Sequence, residues 1–168
     1  MYYCCGITEK GIMPHNEDAL LIGRHVMTAG MVEQNLKPPF IMAVSDGVSG
    51  ENAGELASVM CLEGLRDIAD FRKSQLHGEI MEIHEKLAEY SRNDEESRNM
   101  QTTLCGIAVD ENQRIFAFNV GARSSVTTMT AWTPSPRKSL STSIRNSRRR
   151  LATAAQNTPS RSSPSPPM

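Results

Sequence analysis

Apolar positions along this chain recur with two periods, and beyond Gly121 they recur with none. The runs "YYCCGIT" (2–8), "DALLIG" (18–23), "FIMAVSD" (40–46), "TTLCGIAVD" (102–110) and "RIFAFNV" (114–120) are short, apolar or β-branched, and bounded by Gly, Asn, Asp or Pro. That pattern predicts five strands, with "DENQ" as a hairpin turn between the last two. Between the third and fourth strands the period changes to that of helices. One helix is expected from about Asn52 to Asp70, with Ala53, Leu56, Ala57, Met60, Cys61, Leu65 and Ile68 at helical spacing. A second, near 74–91, places Leu76, Ile80, Ile83, Leu87 and Tyr90 on one face. Both have an acidic outer face. Strands, two helices, then an antiparallel pair predict an α+β layer with helices covering one face of a sheet.

Composition changes this picture mainly after Gly121. The 168 residues are 39% hydrophobic, enough for one domain with a real core. The net charge of −1 conceals a division. All 19 acidic residues and 10 of the 18 basic ones lie at or before Arg114, a balance of −9 for that part. Beyond Gly121 there are eight basic residues, including the "RNSRRR" cluster, and no acidic one. Residues 122–168, rich in Ser, Thr, Pro and Arg, therefore read as a disordered tail. Its one aromatic, Trp132, and its lack of a folded scaffold favour a solvated basic run over a nucleic-acid binder.

No apolar run approaches the roughly 20 residues of a membrane span, and the first residues lack the basic-then-apolar order of a signal peptide. A soluble, cytoplasmic chain with no membrane partner is expected. Cys4, Cys5, Cys61 and Cys105 show no metal-ligand spacing and are expected as small core residues.

The candidate chemistry is acidic. "VSDGVSGENAGELAS" sets Asp46 at the end of an apolar run, in a glycine-rich turn just before a helix. Such a turn either presents a metal ligand or base at the rim of a sheet or is simply a capped strand-to-helix connection. "HNEDALLIG" sets Glu17 and Asp18 at the start of another strand. Two carboxylate groups at strand ends are the oxygen donors that Mg²⁺ or Mn²⁺ takes, although for Glu17 and Asp18 taken separately a solvated turn is the leading reading. No P-loop, G-x-G-x-x-G, H-E-x-x-H or nucleophile elbow is present.

Taken together and in order, "NEDALLIG", "AVSDGVSGENAGELAS" and "NMQTTLCGIAVDENQRIFAFNVG" resemble the opening motifs of the metal-dependent protein serine/threonine phosphatases of type 2C (PPM-type), in their bacterial form. The resemblance runs from about Gly6 to Gly121 and implies an N-terminal half only. It implies a partial β-sandwich with helices packed on the sheet, two Mn²⁺ or Mg²⁺ ions, a metal-bridging water as nucleophile, and a phosphoprotein substrate. Carried over by position, Asp46 would bridge the metals, the Gly47 carbonyl would bind one ion, Glu17 would bind through water, and Asp18 would orient or deprotonate the attacking water.

Three departures from the family pattern bear on activity. Met13 stands where the family has a phosphate-gripping arginine, and Lys10 lacks the bidentate fork that would replace it. "NVGARSS" lacks the family's Asp, and the later aspartates that complete the metal site have no counterpart in a tail without carboxylates. The expected activity is therefore absent or impaired, and a catalytically dead binding module is the alternative. A frameshift near Arg123 is the expected origin of the tail. Met129 and Trp132 each precede a threonine, so a frame shifted by one base forces an Asp at both places and permits Asp-Gly-Leu-Asp-Pro-Leu-Thr-Lys-Glu. That resembles the family's next metal-site turn, and it makes the tail read as out-of-frame translation.

Overall fold

The computed structural model describes residues 1–48, 53–68 and 73–121, with the side chains of residues 73 and 74 left out. The expected ends of the first helix, the glycine turn at 49–52 and the whole tail, including its basic cluster and its predicted disorder, lie outside the described residues. The element order is β1 (Tyr2–Thr8), β2 (Asp18–Ile22), β3 (His25–Met27), β4 (Gly30–Leu36), β5 (Phe40–Asp46), α1 (Gly54–Arg66), α2 (Lys73–Asn93), β6 (Leu104–Val109) and β7 (Ile115–Val120). Strands β3-β2-β5-β6-β7 form one antiparallel sheet, and β1 pairs with β4 in a second. The fold is α+β: a partial β-sandwich with both helices on the outer face of the larger sheet.

Strand alternation builds the two apolar layers. Ala19, Leu21, Ile41, Ala43, Leu104 and Ala108 point to the helices, where they meet Cys61, Leu62, Leu65, Leu76 and Ile83. The intervening residues Leu20, Ile22, Phe40, Met42, Ile107 and Val109 point the other way, onto Tyr2 and Cys4 of the small sheet. Tyr2 and Phe40 meet edge to face at 5.3 Å between ring centroids. The β6–β7 hairpin turns where expected. Arg114 closes it, its backbone N–H 2.8 Å from Asp110 Oδ1 and its Nε 2.6 Å from Oδ2. Burial alone would raise the Asp110 carboxyl, but these Arg114 bonds hold it below its ordinary value.

Four expectations are corrected. Strands β3 and β4 lie in a stretch that predicted none: β3 has three residues, and β4, "GMVEQNL", turns Gln34 inward, which breaks the apolar alternation. The buried face of α1 is Gly54, Ala57, Ser58, Cys61, Leu62 and Leu65, rotated from the expected stripe, so Leu56 and Met60 are only half-buried. In α2, Tyr90 is exposed whereas Leu76 and Ile83 are buried. Of the cysteines, Cys4 and Cys61 are core residues, Cys105 is half-buried, and Cys5 is exposed because β1 alternates.

Candidate functional site

The same alternation that fills the inter-sheet layer decides where the carboxylates go. In β2, Asp18 falls on the side of Leu20 and Ile22; in β5, Asp46 falls on the side of Met42 and Val44. The two strands pair antiparallel with Asp18 directly opposite Asp46, at the last step of the ladder. Two half-buried carboxylates therefore face each other at the open end of an apolar layer. Like charges directly opposed across a strand pair oppose folding. Burial first, then the charge of Asp46 and a hydrogen bond with it, then Glu17, push Asp18 up to about 6. Glu17 is half-buried at the entry to β2.

Gly47 holds this edge together, and for a different reason from the one its turn suggests. Its backbone is not left-handed; the need for glycine is steric. A Cβ there would lie 2.3 Å from the Gly54 carbonyl oxygen and 2.7 Å from that of Glu17. The start of β2, the end of β5 and the first residue of α1 thus meet at one point. The Gly47 N–H donates to the Glu17 carbonyl at 3.0 Å, and the Thr103 N–H donates to the Asp46 carbonyl at 2.9 Å. Among the described residues no side chain caps α1, whose preceding residue Ala53 has a left-handed φ of 58°.

Two polar groups missed as site residues support the carboxylates. Ser45, 1% exposed, donates to the Thr103 carbonyl at 2.7 Å and shares a hydrogen bond of 2.7 Å with the Thr102 hydroxyl. Asn16 donates from Nδ2 to Thr8 Oγ1 at 2.9 Å and to the Thr28 carbonyl, and its Oδ1 accepts from the Asp18 N–H at 3.4 Å.

The predicted residues Glu17, Asp18, Asp46 and Gly47 therefore come together, but they do not form a finished ligand cage. Among the described residues, no group of three or more His, Cys, Asp and Glu side chains is arranged to hold a metal ion. The donor set still fits a hard cation: it is all oxygen, negatively charged, and held against its own repulsion. Met13, in the place of the family's arginine, is exposed in the turn after β1. No helix among the described residues is long and apolar enough to cross a membrane.

A partial β-sandwich covered by helices matches the fold of solved serine and serine/threonine phosphatases over about half of their length. Known proteins agree with this class. The serine/threonine phosphatase stp of Listeria welshimeri is 29% identical over 124 residues, covering 68% of this chain and 45% of its own length. The stp protein of Listeria innocua gives the same values. Among solved structures, the serine/threonine phosphatase PstP/Ppp of Mycobacterium tuberculosis superposes with a TM-score of 0.51 at 22% identity, over 71% of this chain and 46% of that one. A bacterial serine phosphatase matches with a TM-score of 0.51 at 20% identity, over 71% and 55%. No protein-family model matches the chain. The chain spans less than half the length of the curated relatives it matches.

Proposed function

We propose that Asp18, Asp46, Glu17 and the Gly47 carbonyl are the N-terminal share of the divalent-cation centre of a cytoplasmic protein phosphatase acting on phosphoserine and phosphothreonine. The observation that carries this reading is the cross-strand opposition of Asp18 and Asp46 at the mouth of the sandwich. Mn²⁺ or Mg²⁺ held there would supply an activated water and offset the phosphate charge. Asp46 and the Gly47 carbonyl would hold the ion directly and Glu17 through water. Asp18, poised near 6, is suited to accept a proton at neutral pH.

Turnover by this chain alone should be poor. Two adjacent dications carry four positive charges, against at most three carboxylates here. At an effective dielectric near 20, each absent carboxylate about 4 Å from a dication forfeits on the order of several kcal/mol. A single loosely held ion that keeps most of its waters is the expected load. The test pairs Mn²⁺ retention, read from the electron paramagnetic resonance of free Mn²⁺, with hydrolysis of p-nitrophenyl phosphate at millimolar Mn²⁺. Weak retention that is lost in Asp46→Ala, with turnover near background, is expected. Strong Mn²⁺-dependent turnover lost in Asp46→Ala would overturn the impairment, and no retention by the parent would overturn the site.

We also propose that residues after about Arg123 are out-of-frame translation of the missing half. The nucleotide sequence across codons 119–130 should then run on, in the shifted frame, through a metal-site Asp. Immediate stop codons in that frame would refute this.

A further inference from the structure

The inter-sheet layer is closed at its two ends by polar ties of opposite kinds. At the closed end, Gln34 Nε2 of β4 donates to the Ile22 carbonyl at 2.7 Å, fixing the last residue of β2 to the small sheet. At the acidic end the equivalent tie is Asn16. Its amide nitrogen reaches Thr8, the last residue of β1, and the carbonyl of Thr28, between β3 and β4, while its amide oxygen takes the N–H of Asp18. One side chain thus connects both sheets and the backbone of a carboxylate that faces another carboxylate across the ladder. Thr8 is itself buried, and this bond gives its hydroxyl a partner. The connection from Thr8 to Asp18 is otherwise an exposed turn, with Ile12 95% exposed, and nothing apolar there can fix the entry to β2.

From this arrangement we infer that Asn16 is a positioning residue: it holds the Asp18 backbone against the small sheet and so sets where Asp18 stands relative to Asp46 at the proposed cation site. Without the tie, the bond from the Gly47 N–H to the Glu17 carbonyl is left to hold the entry of β2 to β5 against the repulsion between the two carboxylates. The Asp18–Asp46 step is the end of the ladder, where fraying takes least energy. Both amide roles are needed. An aspartate at this position keeps the acceptor and loses the donor to the Thr28 carbonyl, and an alanine loses all three bonds. The inference rests on the metal-centre reading above, and its test separates the two.

The experiment compares the full chain with Asn16→Ala and with Thr8→Val, which removes only the hydroxyl partner and keeps the shape. Two readouts are taken: Mn²⁺ affinity by electron paramagnetic resonance, and amide hydrogen exchange of residues 16–20 in EDTA, with exchange in α1 as the internal reference for global stability. Asn16→Ala should weaken Mn²⁺ binding roughly tenfold or more, the range found when residues that orient metal ligands are removed. It should also speed exchange at residues 16–20 with α1 protection unchanged, and Thr8→Val should show the same two effects at smaller size. Unchanged Mn²⁺ affinity, or unchanged exchange at residues 16–20, in Asn16→Ala would overturn the inference. If Asn16→Ala does not fold, Thr8→Val decides by the same two criteria. If the parent binds no Mn²⁺ while exchange at residues 16–20 still rises in the variants, the metal-centre reading fails and the backbone tie stands.

Discussion

Gly47→Ala is expected to destabilise the chain by about 3 kcal/mol or more, the upper range for forcing an extra carbon into a packed site. The added Cβ would meet three backbone atoms within 2.7 Å, the Gly54 carbonyl oxygen and carbon and the Glu17 carbonyl oxygen, and none is the far end of a side chain that could swing aside. Relief requires α1 to move away from β5 or the Glu17 carbonyl to leave the Gly47 N–H, and either displaces the edge that carries Asp46. Urea denaturation checks the figure, with Gly78→Ala as the control. Gly78 lies in α2 with open space around its Cβ, so the same substitution there should stabilise by up to about 1 kcal/mol. A loss below about 1 kcal/mol in Gly47→Ala would contradict the close approach of the three segments.

The second large effect comes from Asp18, and it has opposite signs for stability and for metal binding. Its folded carboxyl is raised to about 6 by burial, by Asp46 and by Glu17. A carboxyl raised on folding favours the folded state in its protonated form. Its contribution is fully present below about pH 4 and is lost as pH rises through about 6. At pH 7 the ionised pair therefore opposes folding, and Asp18→Asn should remove that opposition. The gain is about 1–2 kcal/mol at pH 7, once solvent screening of a half-buried carboxylate is allowed for, and it should disappear by pH 4. The same substitution removes one of the few negative oxygens facing the mouth and should weaken Mn²⁺ binding by an order of magnitude or more. A residue that lowers stability while serving a ligand is the usual compromise of a functional site.

How much of this was legible in the sequence depended on where the information lay. The runs around Phe40 and Leu104 declared strands because both faces are buried, and "DENQ" declared its turn through side chains that bond their own backbone. Strand β4 did not, because Gln34 occupies an inward position as a donor to Ile22 and looks like a surface residue in one dimension. Helix α1 lies where its period predicts, but its buried face is rotated from the predicted stripe because it includes Gly54 and Ser58, which carry no apolar signal. At the site, period-two alternation was enough to put Asp46 on the side of Met42. The β2–β5 register that sets Asp18 opposite it is a property of pairing between distant segments, and it appeared only with the fold. Asn16 stood in plain view within "HNEDALLIG", but its three partners are 8, 12 and 2 residues away on separate elements, and no local pattern predicts such a tie.

On the proposed reading the acidic mouth suits a divalent cation and is repulsive without one. Thermal melts of the parent and Asp18→Asn at pH 7, each in EDTA and in excess Mn²⁺, test it most directly. In EDTA, Asp18→Asn should melt several degrees above the parent, as a gain of about 1–2 kcal/mol implies for a domain of this size. Mn²⁺ should raise the melting temperature of the parent by mass action and leave Asp18→Asn nearly unmoved, so that the gap closes. An Asp18→Asn variant that melts below the parent in EDTA, or a parent that Mn²⁺ does not stabilise, would contradict the account.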